Sequence, residues 1–143
     1  MNAPLYNTQI LRLAASIPYH DRLPNPMASV EKRSPVCGSR VTVDVNVDAD
    51  GRVREIGMLV RACALGQASA SLLGANVIGR SAAELATARD ELSAWLAGKR
   101  AALPDWPGFD LFEPALPHTA RHASIRLAFE AAAEAAEMVG HQR

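Results

Sequence analysis

The stretch VTVDVNVDADGRVREIGMLV, residues 41–60, begins with a strict alternation. Val41, Val43, Val45 and Val47 share one side, and Thr42, Asp44, Asn46 and Asp48 share the other. A period of two with one apolar side is the pattern of a half-buried antiparallel strand. Asp48-Ala49-Asp50-Gly51 then reads as a turn, with Gly51 free to take the positive φ that a tight hairpin connection demands. Val53, Ile56, Met58 and Val60 form the return strand. Val53 and Ile56 are an odd number of positions apart, so the apolar side changes between them, and a bulge is expected there.

Outward from this hairpin the elements follow one another without internal repeats. A short strand is expected within Ala28 to Arg33. Before it, Tyr6, Ile10, Leu13, Ala14 and Ile17 recur at helical spacing until Pro18 stops the pattern. The intervening PYHDRLPNP, with its three prolines, is an extended loop. After Cys63 the period turns helical through Leu65, Ala68, Leu72 and Val77 and ends at Gly79. Ser81 and Glu84 stand at capping-box spacing, so a helix begins near Ala82; it buries Leu85, Leu92, Trp95 and Leu96 and ends at Gly98. Residues 99–117 carry four prolines and form a loop that packs Trp106, Phe109 and Phe112 inward. The last helix is expected from near Thr119, with Ile125, Ala128, Phe129, Ala132, Ala136 and Val139 as its buried stripe. Together these predict an α+β fold: a single domain over residues 1–143, with a small three-stranded antiparallel sheet packed with helices.

Charge and composition narrow the function. Fifteen basic and fifteen acidic side chains give a formal net charge of zero, which supplies no long-range field toward nucleic acid or an anionic membrane. The N-terminal stretch lacks a basic start and an uninterrupted apolar core, and nothing approaches the roughly 20 apolar residues of a membrane span, so a cytoplasmic protein is expected. In a reducing compartment its two cysteines, Cys37 and Cys63, are read as free thiols or ligands rather than a structural bridge. Cys37 precedes the first hairpin strand and Cys63 follows the second, so antiparallel pairing brings both segments to one end of the sheet. Cys63 also adjoins a helix start, where the dipole and free N–H groups favour a thiolate. Two converging thiols of this kind suit a soft metal or the handling of sulfur.

Four ordered motifs add a resemblance. Pro35-Val36-Cys37-Gly38 stands before a valine-rich strand, Asp50-Gly51 sits at the hairpin turn, and Cys63-Ala64-Leu65-Gly66-Gln67-Ala68-Ser69-Ala70-Ser71 opens a helix rich in alanine and serine. Arg121-His122-Ala123-Ser124-Ile125-Arg126-Leu127-Ala128 follows near the C-terminus. The chain thereby resembles the iron-sulfur cluster assembly scaffolds of the IscU, SufU and N-terminal NifU type over nearly its whole length. The resemblance implies the same sheet-and-helix fold and a non-enzymatic, cytoplasmic role. In that role iron and sulfur are bound transiently and a cluster, most simply [2Fe-2S], passes to acceptor proteins after a cysteine desulfurase supplies the sulfur. Cys37 and Cys63 occupy cluster-ligand or metal-ligand positions of the family. Ser39 stands where that pattern has aspartate, and Ser124 where it has a third cysteine; a hydroxyl stays protonated at neutral pH and is a poor ligand for iron or zinc.

Three arrangements answer that degenerate ligand set. A homodimer pools four cysteines around a bridging cluster. Alternatively, His118 or His122 joins Cys37 and Cys63 in a zinc site. In the third, no metal is held, and the chain is a regulatory or desulfurase-docking relative of the scaffold. Elsewhere, His20 and His141 are expected at the surface, Asp44, Asp48 and Asp50 as a solvated acidic edge, and Arg121 in solvent or facing an anionic partner.

Overall fold

The computed structural model describes residues 5–36 and 38–142. Three strands, β1 (Ala28–Arg33), β2 (Arg40–Val47) and β3 (Val53–Arg61), pair antiparallel in the order β1-β2-β3. Helices α1 (Thr8–Ala15), α2 (Ala64–Asn76), α3 (Ala82–Leu96) and α4 (His122–Gln142) complete the fold, with 3₁₀ segments at Phe109–Ala115 and Thr119–Arg121. The expected three-stranded α+β architecture is therefore present.

The valines set the layering. Val41, Val43 and Val45 are fully buried on the face covered by α4, which also packs against β1. On its other sides α4 meets α2 and α3, and α1 packs on α2. Alanines supply the close approach: Ala128, Ala131, Ala132, Ala133, Ala135 and Ala136 of α4 are buried. The proline-rich stretch closes this core as expected, and part of it coils into 3₁₀ helix despite Pro114. Trp106 lies edge-on to Phe129, centroids 5.2 Å apart, and donates its Nε1–H to the Leu72 carbonyl at 2.7 Å.

The bulge falls where the parity of apolar positions required it. Asn46 pairs with Glu55 but Val47 pairs with Val53, leaving Arg54 as the extra residue. The capping box of α3 is also formed: Ser81 Oγ accepts from the Glu84 N–H while the Glu84 side chain accepts from the Ser81 N–H.

Two expectations need correction. β2 is not half-buried, because Thr42 and Asp44, on the side opposite the valines, are buried as well. The loop after α1 covers that side: the Tyr19 carbonyl accepts from the Met58 N–H at 2.9 Å, and a Cβ on Gly57 would lie 2.8 Å from the Leu23 nitrogen. Asp44 therefore does not belong to a solvated edge. Its carboxylate accepts from Arg22 Nε at 2.6 Å, Ser29 Oγ at 2.6 Å and the Leu23 N–H at 3.1 Å. The second correction concerns the last helix, which does not start at Thr119. A 3₁₀ turn occupies Thr119–Arg121, and the α-helix begins at His122.

Candidate thiol site

Cys63 is the N-cap of α2, in extended conformation at φ −65° and ψ 171°, and its side chain is partly buried. It is placed by the end of β3 and by the sharp entry into a helix whose first turns are almost all small residues. Gly66 is required there: a Cβ would collide with Ser124 Oγ and lie 2.7 Å from Ala62 Cβ. One turn further, Ser69 Oγ donates to the Ile125 carbonyl at 2.7 Å, locking α2 against the first turn of α4.

That packing brings distant residues together. Cys63 Sγ lies 3.3 Å from Ser124 Oγ, and Ser124 Oγ lies 3.3 Å from Ser39 Oγ. Both hydroxyls are buried. The fold draws Ser39 and Ser124, 85 residues apart, inside and beside the thiol. Cys37 lies outside the described residues. Its flanking loop is closed by Ser34 N–H to the Ser39 carbonyl and Gly38 N–H to the Ser34 carbonyl, both at 2.9 Å.

The electrostatics favour a thiolate. Burial pushes the Cys63 pKa up, but the Ser124 hydroxyl, the Gly66 and Leu65 N–H groups and the Arg121 guanidinium all favour the anion, and together they bring it below the ordinary thiol value. The thiol makes no cap hydrogen bond of regular geometry, so the two N–H groups act through proximity at the positive end of α2. Arg121 is held there by Tyr6, whose hydroxyl accepts from its Nη1 and whose ring lies 5.7 Å beneath the guanidinium. Of the two readings of Arg121, solvent or an anionic partner, its place beside Cys63 favours the second; Tyr6, just before α1, is the contact that no local pattern could reveal.

The two histidines diverge. His118 is exposed, whereas His122 is buried with Nε2 3.0 Å from the Ala115 carbonyl. Among the described residues no three His, Cys, Asp or Glu side chains group as a metal site.

Residues 17–138 match the family described as the NifU-like N-terminal domain. The chain belongs to that family. A NifU-like N-terminal protein from Brucella abortus is 37% identical with a TM-score of 0.89, the match covering 97% of this chain and 96% of that one. A putative iron-sulfur cluster assembly scaffold of the SUF system from Fervidobacterium islandicum shares the fold at 17% identity and a TM-score of 0.77, over 92% of this chain and 96% of that one. No curated protein matches the chain. Within the NifU-like frame, the thiol, the two serines and Arg121 cluster at one end of the sheet. No helix among the described residues is long and apolar enough to cross a membrane.

Proposed function

We propose that this NifU-like domain is an iron-sulfur cluster assembly scaffold, not an enzyme, whose Cys63 thiolate accepts sulfur and, with Cys37, transiently holds the nascent cluster as cargo. The observation that carries this reading is the Ser39–Ser124–Cys63 contact chain beside Arg121, which stabilises a thiolate while keeping it partly accessible. Family membership supports it, as does the description of the Fervidobacterium relative as a putative scaffold.

The chemistry is a thiolate attack. Cys63 Sγ attacks the outer sulfur of a donor persulfide, a new S–S bond forms, and the donor's cysteine departs as thiolate. Two electrons from a reductant such as a low-molecular-weight thiol then break that S–S bond, releasing sulfide to iron and returning the Cys63 thiolate; Arg121 balances the charge brought by the iron-bound sulfide, and Ser124 offers a hydroxyl to the thiolate. Neither serine replaces a charged ligand, so the described residues of one chain do not enclose a cluster. The remaining ligands come from a second chain, from the cysteine desulfurase or from the acceptor, which makes the cargo labile and suits transfer. The same substitution of hydroxyls for charged ligands favours a second reading, a metal-free, desulfurase-docking regulator; a zinc protein using Cys37, Cys63 and a histidine would be a third.

Anaerobic reconstitution with iron, cysteine and a cysteine desulfurase tests this. The scaffold reading expects visible absorption with equal iron and sulfide, at about one [2Fe-2S] per two chains in a dimer. Loss of the signal in Cys63→Ala and in Cys37→Ala would complete the case. Protein that takes up neither iron nor sulfide, yet still binds the desulfurase, is the regulator. Stoichiometric zinc in protein purified without chelator, removed by Cys63→Ala, identifies the zinc protein.

A further inference from the structure

The last row of the sheet is made of like charges. Arg33 pairs with Arg40 across β1 and β2, and Arg40 pairs with Arg61 across β2 and β3. Residues directly opposite one another in antiparallel strands project to the same side, so all three share one face. That face is the one opposite the valines and α4. Like charges placed directly opposite are destabilising, and this row contains two such pairs.

The acidic compensation is partial. Glu31 Oε2 accepts from Arg33 Nε at 2.9 Å, and its other oxygen lies 3.7 Å from Arg40 Nε. One carboxylate thus serves two guanidinium groups. Arg61 meets no carboxylate among the described residues, although its neighbours in the row carry the same charge.

The row also borders a cavity. Arg33, Arg40 and Arg61 line a depression of about 380 Å³ together with Ser34, Gly38 and Ser39. A volume of that size lies near the lower end of the range for small-molecule sites, about 300–1,000 Å³. Guanidinium forks match carboxylate and phosphate oxygens in pairs, which makes such a lining selective for oxyanions over chloride. Ser39 belongs to this cavity and also, through its Oγ, to the contact chain that ends on Cys63.

We infer that this arginine-lined cavity is a binding site for a small multivalent oxyanion, a polycarboxylate or a phosphate, seated beside the thiol site. The ligand supplies the negative charge that the row lacks and sits on Arg61, which has no acidic partner among the described residues, with Arg33 and Arg40 flanking it. The site borders the thiol site through Ser39 but is tested on metal-free protein, so the failure of either reading leaves the other intact.

The test is titration of the full chain with citrate and, separately, with inorganic phosphate, against sodium chloride at matched ionic strength. Calorimetry gives stoichiometry, and amide NMR shifts give location. One saturable site per chain is expected, with the largest shifts at Arg33, Arg40 and Arg61, and weakening of at least about tenfold in Arg61→Gln. Tighter binding of citrate identifies a polycarboxylate as the natural class, and tighter binding of phosphate identifies a phosphate. The Arg33 side chain is 65% exposed, so Arg33→Gln is a second variant with little risk to folding, and the same direction of change is expected. Absence of saturation by either anion, or saturation that both variants leave unchanged, overturns the inference.

Discussion

Asp44 and Cys63 are two ionisable groups withdrawn from water, and in both the anion is favoured despite burial. They differ in what surrounds them. Burial raises the Asp44 pKa, and the Arg22, Ser29 and Leu23 hydrogen bonds more than reverse it, holding the carboxyl below its ordinary range. Its partners are all drawn from this fold and the side chain is fully covered. Cys63 has a looser set: one hydroxyl contact at 3.3 Å, helix N–H groups nearby, and a side left partly open. A closed shell of donors makes an anion structural, whereas an incomplete shell leaves lone pairs for a ligand or an electrophile.

Removing the closed shell has the largest expected effect. Asp44→Ala should cost about 3 kcal/mol, because the Leu23 N–H and Ser29 hydroxyl beneath the loop lose an ionised acceptor. A urea midpoint lowered at unchanged slope is the readout, and an Asp44→Ala protein as stable as the parent would mean that the Arg22, Ser29 and Leu23 hydrogen bonds add nothing over water.

Gly66→Ala should come next, at about 1–3 kcal/mol, since its methyl group would overpack the contact between α2 and α4. Combining it with Ser124→Ala removes one of the colliding atoms and should recover part of that loss. Strict additivity in the double-mutant cycle would show that the two positions do not touch.

Ser124→Ala alone should barely alter stability but should raise the Cys63 pKa, as a donor to the thiolate disappears. Alkylation by iodoacetamide across pH is the measurement; the inflection should move upward and the rate near neutral pH should fall. An unchanged profile would leave the open-shell description of Cys63 without its nearest donor.

The smallest effect is in the acid limb of stability. The folded-state pKa of Asp44 is depressed, so its contribution is fully present above the unfolded carboxylate value of 3.8. It disappears as pH falls from there through the lower folded pKa. Asp44→Asn should flatten that part of the stability curve and leave its shape above pH 5 unchanged. A slope below pH 4 identical to the parent's would mean that other carboxylates carry the acid transition.

The same two sites show how far local sequence reaches. The valine alternation, the Gly51 turn, the parity break that required a bulge and the Ser81–Glu84 box are all short-range relations between side-chain period and backbone geometry, and each is found in the fold. The serines could be picked out as replaced positions in a family pattern. Their contact could not, because Ser39 and Ser124 are 85 residues apart and meet only when α4 lies on the sheet. Asp44 was misjudged for a related reason: alternation says which side a residue faces, and here a loop with no periodicity of its own covers the second side. The arginine row was equally hidden, since Arg33, Arg40 and Arg61 become neighbours only through strand register.

By itself, then, the sequence determined the order and type of the elements, the hairpin with its bulge, and Cys63 at a helix start, since propensity, capping and period act within a few residues. Only the tertiary structure decided that Asp44 is sealed, that Tyr6 holds Arg121 on the thiol's side of the fold, and that Ser39, Ser124 and Cys63 form one chain of contacts. Those outcomes depend on which surfaces the packed helices and the loop after α1 cover, and burial of that kind is a property of the whole chain.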